Sequence, residues 1–296
     1  MAISSGPDPR INPFRDDLAA THLRGEVLAA KFVEGTDRQV KVPVTPLLRR
    51  PQHDAPVDTE LLYGEIFRVY EVRGGYAWGQ AAYDDYVGYV PADALASEVL
   101  KPGHRVVALR TFIYPRPDLK ARPVVALSMN TKVQVTGTDG KWSEIARGGF
   151  VFARHLLPLD DVADDFVSVA EKFLGIPYLW GGRSSLGLDC SGLIQMALEL
   201  GGIPAPRDSD MQEVVLGEAL GAGDDIQALQ RGDMVFWKGH VGVMLDGEQL
   251  LHANAHHMAV AIEPLDEALR RIEMAGGGSV TSIRRMVTSA SAARRQ

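Results

Sequence analysis

Apolar and polar positions follow two different patterns along the chain, and the change falls near residue 160. Before it, short β-type runs are separated by turn residues. They include Pro46-Leu47-Leu48, Ile66 to Tyr70, Tyr76 to Gln80 and Tyr86 to Pro91. This spacing predicts a small all-β barrel over residues 28–97. The same order returns over residues 98–160, in Thr111 to Pro115, Lys132 to Val135, Gly140 to Ile145 and Gly149 to Phe152. Trp78 precedes Trp142 by 64 positions and Tyr89-Val90 precedes Phe150-Val151 by 61, which points to an internal duplication and a second barrel. The two tryptophans are expected in the barrel cores. Residues 1–27 are polar and predict an arm, with a short helix over Asp16 to Leu23 packed on the β-region after it.

Beyond residue 160 helical periodicity comes first. Phe166, Val169, Ala170 and Phe173 form one stripe, ended by Gly175. Leu193, Ile194, Ala197, Leu198 and Leu200 form a second, with Asp189 as N-cap and Gly201-Gly202 as stop. A third helix starts near Asp208. Strand candidates follow at Asp233 to Trp237, His240 to Leu245 and Gln249 to Ala253. Helices before strands predict an α+β domain with an antiparallel sheet over residues 161–296, its last residues, Thr288 to Gln296, forming a frayed tail.

Composition narrows the function classes. The 296 residues suffice for two or three domains, and 46% apolar with 23% charged residues is ordinary for a globular protein. A net charge of −7 with scattered basic residues argues against nucleic acid or an anionic membrane as partner. No run approaches the ~18 apolar residues of a spanning helix. Met1 to Arg15, interrupted by Pro7, Pro9 and Pro13, shows no signal-peptide core. With a single cysteine these features predict a cytoplasmic protein. The oligomeric state stays open.

That cysteine, Cys190, falls in the first turn of its helix, where unpaired N–H groups and the helix dipole favour a thiolate. A lone cysteine is also simply a small buried hydrophobe. Histidines decide between the two, because cysteine hydrolysis needs a base and a group that orients it. His240 opens one strand and His252 closes the next. Side chains alternate across a strand, so a two-residue turn at Asp246-Gly247 would put the two on opposite faces and a three-residue loop on the same face. Cooperation requires the odd loop. His252, His256 and His257 also read as a metal cluster, but no carboxylate or thiolate set accompanies them at ligand spacing, so neither metal nor organic cofactor is expected.

Six segments carry a resemblance. Tyr178-Leu179-Trp180-Gly181-Gly182, Asp189-Cys190-Ser191-Gly192-Leu193, Pro206-Arg207-Asp208-Ser209, Arg231 to Phe236, His240-Val241-Gly242-Val243 and Leu251-His252-Ala253 occur in the order of the NlpC/P60 cysteine peptidases. The leading β-regions resemble bacterial SH3-like domains, and the whole chain resembles γ-D-glutamyl-L-diamino acid endopeptidases. The resemblance implies a papain-like core with Cys190 as nucleophile, His240 as general base and acid, and His252 orienting it. It implies a peptidoglycan stem peptide as substrate. Tyr178 would then lie near the oxyanion, with Trp180 and Asp189 beside the site, Ser191 and Ser209 lining a D-Glu pocket, and Asp208 holding a free L-Ala amine. Asp58 and Tyr86 of the first barrel would complete that end, although the family commonly has Glu where this chain has Asp58. A wall-peptide binding protein without catalysis, and an amidase or acyltransferase using the same Cys and His, remain as alternatives.

Overall fold

The computed structural model describes residues 6–220 and 228–286, so the tail from Thr288 lies outside the described residues. The chain divides into two compact units, Met1–Asp161 and Val162–Gln296.

The first unit is β-rich. Its arm forms a strand, Ala19–Ala20, parallel to Phe32–Val33, and one 3-10 turn, Thr21–Leu23, in place of the expected helix. Pairing with Phe32 and Val33 commits Ala19 and Ala20 to extended backbone, so only one turn remains for helical bonds. Arg15 of the arm lays its guanidinium 4.3 Å from the Trp78 ring centroid and bonds Glu71 and Tyr89. Trp78 is therefore buried, packed against Tyr70 and covered by the arm.

A seven-stranded sheet follows, in the order Val57–Leu62, Val44–Leu48, Val87–Pro91, Tyr76–Ala81, Ile66–Arg73, Thr36–Val40, Leu95–Ala96. Inward positions of alternating strands, among them Leu47, Leu61, Phe67, Val69 and Val90, make its core. Residues beyond it build a separate core from Val106, Ile113, Leu127, Val133, Ile145 and Val151. Each region ends alike: a hairpin led by the tryptophan strand, a 3-10 turn (Ala92–Ala94 or Ala153–His155), then a short strand. Trp142 sits in an aromatic pile with Tyr114 and Phe152, half-buried rather than central.

In the second unit, Asp165 caps the helix Phe166–Glu171 by accepting from the Val167 amide. The helix Cys190–Leu200 is buried along its whole length and packs on the strands His240–Met244 and Gln249–Asn254. Those strands belong to an antiparallel six-stranded sheet ordered Glu218–Ala219, Ser282–Arg285, Met234–Trp237, His240–Met244, Gln249–Asn254, Ala259–Pro264. The three strand candidates thus stand side by side, and Ala259–Pro264 adds an edge that the sequence pattern did not reveal. The helix Leu265–Met274 then packs back on the sheet through Leu265 and Ala268.

Gly64 tests the first unit. Its φ is +85°, and an added Cβ would lie 1.9 Å from the Lys132 carbonyl oxygen, so neither conformation nor space admits a side chain. Gly64→Ala should lower stability in chemical denaturation by roughly 1–3 kcal/mol, and Gly103→Ala, which meets open space, by less than about 0.5 kcal/mol.

Candidate active site

The Cys190 helix begins where a tight hairpin ends. Arg183–Ser184 pairs with Gly187–Leu188, and Asp189 then caps the helix, its carboxylate accepting from Gly192 N at 2.7 Å and Gly181 N at 2.9 Å. Arg207, fully buried, grips both Asp189 oxygens at 2.6 and 2.9 Å and also donates to Ser191 Oγ at 2.9 Å. A Cβ at Gly192 would come 2.3 Å from the Gly182 carbonyl, so backbone meets backbone directly behind the thiol. The thiol itself points toward the Gly239 carbonyl oxygen, 4.0 Å away, one residue before His240.

Register places the histidines. Val243 pairs with Leu251, Met244 with Leu250, and Leu245 N donates to Gln249 O, which leaves Asp246-Gly247-Glu248 as a three-residue loop. The Asp246 carboxylate accepts from the amides of Glu248 and Gln249, both at 2.8 Å, and holds that length. His240 and His252 consequently share a face as diagonal neighbours, with His240 Nε2 2.9 Å from His252 Nδ1. On the other side of His252, Nε2 lies 2.7 Å from Glu263 Oε1, and Arg271 of the last helix bonds the same carboxylate.

The sequence agrees with this geometry at the level of relatives. Residues 175–275 match the profile of the NlpC/P60 family and residues 47–95 that of the bacterial dipeptidyl-peptidase Sh3 domain. A probable endopeptidase NlpC homolog of Haemophilus influenzae is 31% identical over 148 residues, 48% of this chain and 76% of its own. The chain belongs to the NlpC/P60 family of cysteine peptidases. It is also similar to a γ-D-glutamyl-L-lysine dipeptidyl-peptidase of Bacillus cereus, 26% identical over 243 residues, which is 71% of each chain. Dipeptidyl-peptidase 6 of Lysinibacillus sphaericus is 26% identical over 245 residues, 75% of this chain and 89% of its own. A crystal structure of an NlpC/P60 family protein from Bacillus cereus has the same fold, with a TM-score of 0.72 at 21% identity over 86% of this chain and 100% of that one.

Electrostatics in this NlpC/P60 site overturn one expectation. Burial, with the Asp189 charge alongside, pushes the Cys190 thiol up to about 12, although the Val241 and Ser191 amides and Arg207 favour the thiolate. Helix position alone had suggested a lowered value; desolvation outweighs it. Burial, then the neighbouring His252 and Arg271, bring His240 down to about 3, against the opposing pull of Glu263. Burial also lowers His252. Hydrogen bonds from His252 and Arg271 overcome burial at Glu263 and hold its carboxyl at about 2. At neutral pH the thiol and both imidazoles are uncharged, and the carboxylate behind the histidines is anionic.

The remaining expected residues are placed unevenly. Tyr178 is close enough to Cys190 and Asp189 to feel both, and burial with those charges raises its hydroxyl to about 12. Trp180 stands 67% exposed on the same loop. Asp189 caps the helix and pairs with Arg207, and Ser191 turns its hydroxyl toward the same two groups. Ser209 is buried at the start of the helix Ser209–Val215, where Asp208 takes the cap position without a side-chain capping bond. Asp58 and Tyr86 belong to the first unit, Asp58 paired with Arg49 and Tyr86 packed in the core of the seven-stranded sheet.

Glu263, Arg271 and the role of Arg207 were missed. Val260 and Ile262 set the apolar phase of their strand, so Glu263 reads as a solvent position; in the fold Ile262 is exposed and Glu263 buried. His252, His257 and Glu263 bring ligand atoms within 4.8 Å of one another, but Glu263 already carries Arg271 and His252, and His257 Nδ1 is bonded to Asn254. His256 is not part of that group.

The histidine values fix the sign of a pH effect. His240 is at about 3 in the folded chain against an ordinary 6.5, so on acidification the unfolded chain binds the proton first. The stability of the second unit is full above pH 6.5 and falls from there toward pH 3; Glu263, depressed from 4.5 to about 2, adds its own loss only below pH 4.5. Thermal melts should show a Tm that is flat from pH 8 to 7 and declines between 6.5 and 4.5. His240→Gln should make that decline shallower and leave the share that His252 contributes. A Tm constant down to pH 4.5 contradicts a buried neutral pair.

Proposed function

We propose that the chain is an endopeptidase that cuts the γ-D-glutamyl bond to a diamino acid in peptidoglycan stem peptides, preferring free L-Ala-γ-D-Glu-diamino acid peptides released in wall recycling. The observation that carries this reading is the bonded His240–His252 pair on one sheet face, next to the backbone on which the Cys190 thiol rests. The names of the relatives, γ-D-glutamyl-L-lysine dipeptidyl-peptidase among them, supply the bond.

In this mechanism His240 takes the Cys190 proton as the sulfur attacks the γ-carbonyl of D-glutamate. The oxyanion is met by amides of the helix N-terminus and by the Tyr178 hydroxyl, which a raised pKa keeps as a donor. Collapse breaks the C–N bond, His240 returns the proton to the leaving amine, and a thioester remains. Water, activated by His240, hydrolyses it and releases L-Ala-D-Glu. Trp180 and Ser209 are candidates for the pocket wall. Asp208 is a candidate for the group that receives the L-Ala ammonium. The arrangement of the second β-region, repeating that of the first, supports a second SH3-like domain, with boundaries near 27, 97 and 160. A single cysteine kept as a thiol favours a reducing compartment, the cytoplasm. Among the described residues no helix is long and apolar enough to cross a membrane.

Incubation with L-Ala-γ-D-Glu-meso-diaminopimelate, products read by mass, tests the reading. Wild type should release L-Ala-D-Glu and Cys190→Ala should lose at least about a thousandfold in rate. The N-acetylated peptide should be cut far more slowly; equal rates would remove the free-amine requirement, and no cleavage of either peptide would overturn the substrate assignment. The thiol at about 12 gives a separate check. Iodoacetamide should alkylate Cys190 slowly at pH 7 and faster with each step toward pH 10, whereas rapid labelling at pH 6 would mean a resting thiolate.

A further inference from the structure

We propose that Glu263 is a positioning residue that fixes where the protons sit on His252 and His240, leaving His240 Nδ1 as the unprotonated nitrogen of the resting site. The inference rests on the reading of Cys190 and His240 as the reacting pair. It extends the site by one residue, on the edge strand Ala259–Pro264.

The argument is one of donors and acceptors. An ionised carboxylate only accepts, so the 2.7 Å contact from Glu263 Oε1 requires a proton on His252 Nε2. A neutral imidazole carries one N–H, so His252 Nδ1 presents a lone pair. That lone pair, 2.9 Å from His240 Nε2, accepts the N–H of His240. His240, neutral as well, has then spent its proton on Nε2, and Nδ1 is left as the base. Every link depends on the first. Without an anion at Glu263, His252 can hold its proton on Nδ1 and donate to His240, which forces the His240 proton onto Nδ1 and blocks the base.

Burial supports a role beyond a surface ion pair. His252 is wholly buried and Glu263 is 8% exposed, while Arg271 comes in from the partly exposed side. Arg271 keeps the carboxylate ionised at the pH of the reaction. As His240 gains its proton in the attack, the negative charge two bonds along the chain also favours the imidazolium, a gain made only in the transition state.

Histidine 15N NMR of the substrate-free enzyme reads the tautomers directly. Wild type should show His252 and His240 both protonated on Nε2; a proton on His252 Nδ1 overturns the proposal. Glu263→Ala should give mixed tautomers and lower kcat about 100-fold, with KM within about threefold. Glu263→Gln, whose amide oxygen still accepts, should keep the Nε2 tautomer and recover most of kcat. A Glu263→Ala enzyme that is folded by circular dichroism and keeps kcat within twofold refutes the inference. If that variant does not fold, the wild-type tautomers and Glu263→Gln decide. Failure of the peptide assay in the wild type strikes the substrate reading and leaves the tautomer measurement standing.

Discussion

The length of one loop decides whether this protein has a site. Side chains on a strand alternate, so a single residue more or less between Leu245 and Gln249 would carry His252 to the opposite face and separate it from His240. Asp246 holds the loop at three residues through two amide bonds, and that small motif aligns a row of polar groups running from His240 through His252 to Glu263. No element further away can compensate for a slip, because hydrogen bonds at 2.7 and 2.9 Å tolerate no change of face.

Cys190 is placed by a different constraint. Asp189 beside a thiol destabilises the thiolate, and a cap could have been provided by serine or threonine without that charge. Asp189 does more than cap: it gathers Gly181, Gly192 and buried Arg207 around one carboxylate and so locks the glycine loop against the helix start. Breaking either partner would strand a buried charge at a cost of about 3–5 kcal/mol. Rigidity behind the sulfur comes at the expense of its acidity. The arrangement is consistent with a thiol that gives up its proton only as a base and substrate are brought against it.

Much of this was legible in the sequence. The division near residue 160 coincides with the change from sheet-only to mixed structure, and the strands bearing His240 and His252 fall where alternation put them. What escaped were features set by partners distant in sequence. The Cys190 pKa depends on how deeply the helix start is buried, which no local pattern carries. Trp78 is buried as its type suggests, but the Arg15 that covers it lies 63 positions earlier and leaves no local signal. The buried Arg207 that bonds the Ser191 hydroxyl lies 16 positions further on, with no local signal for the contact.

Glu263 is the instructive case. An acidic residue on the polar phase of an amphipathic strand is ordinarily solvent-facing, and the sequence offers no reason to think otherwise. The strand inverts that rule because its inner neighbour is His252: burying a carboxylate is costly unless it is paired, and here the imidazole N–H and Arg271 both pair it. The exposed Ile262 on the other face is the visible cost of that inversion. The strand keeps Val260 inside but turns Ile262 outward beside a buried Glu263, so its last residues are organised around the histidine rather than around its own hydrophobic pattern.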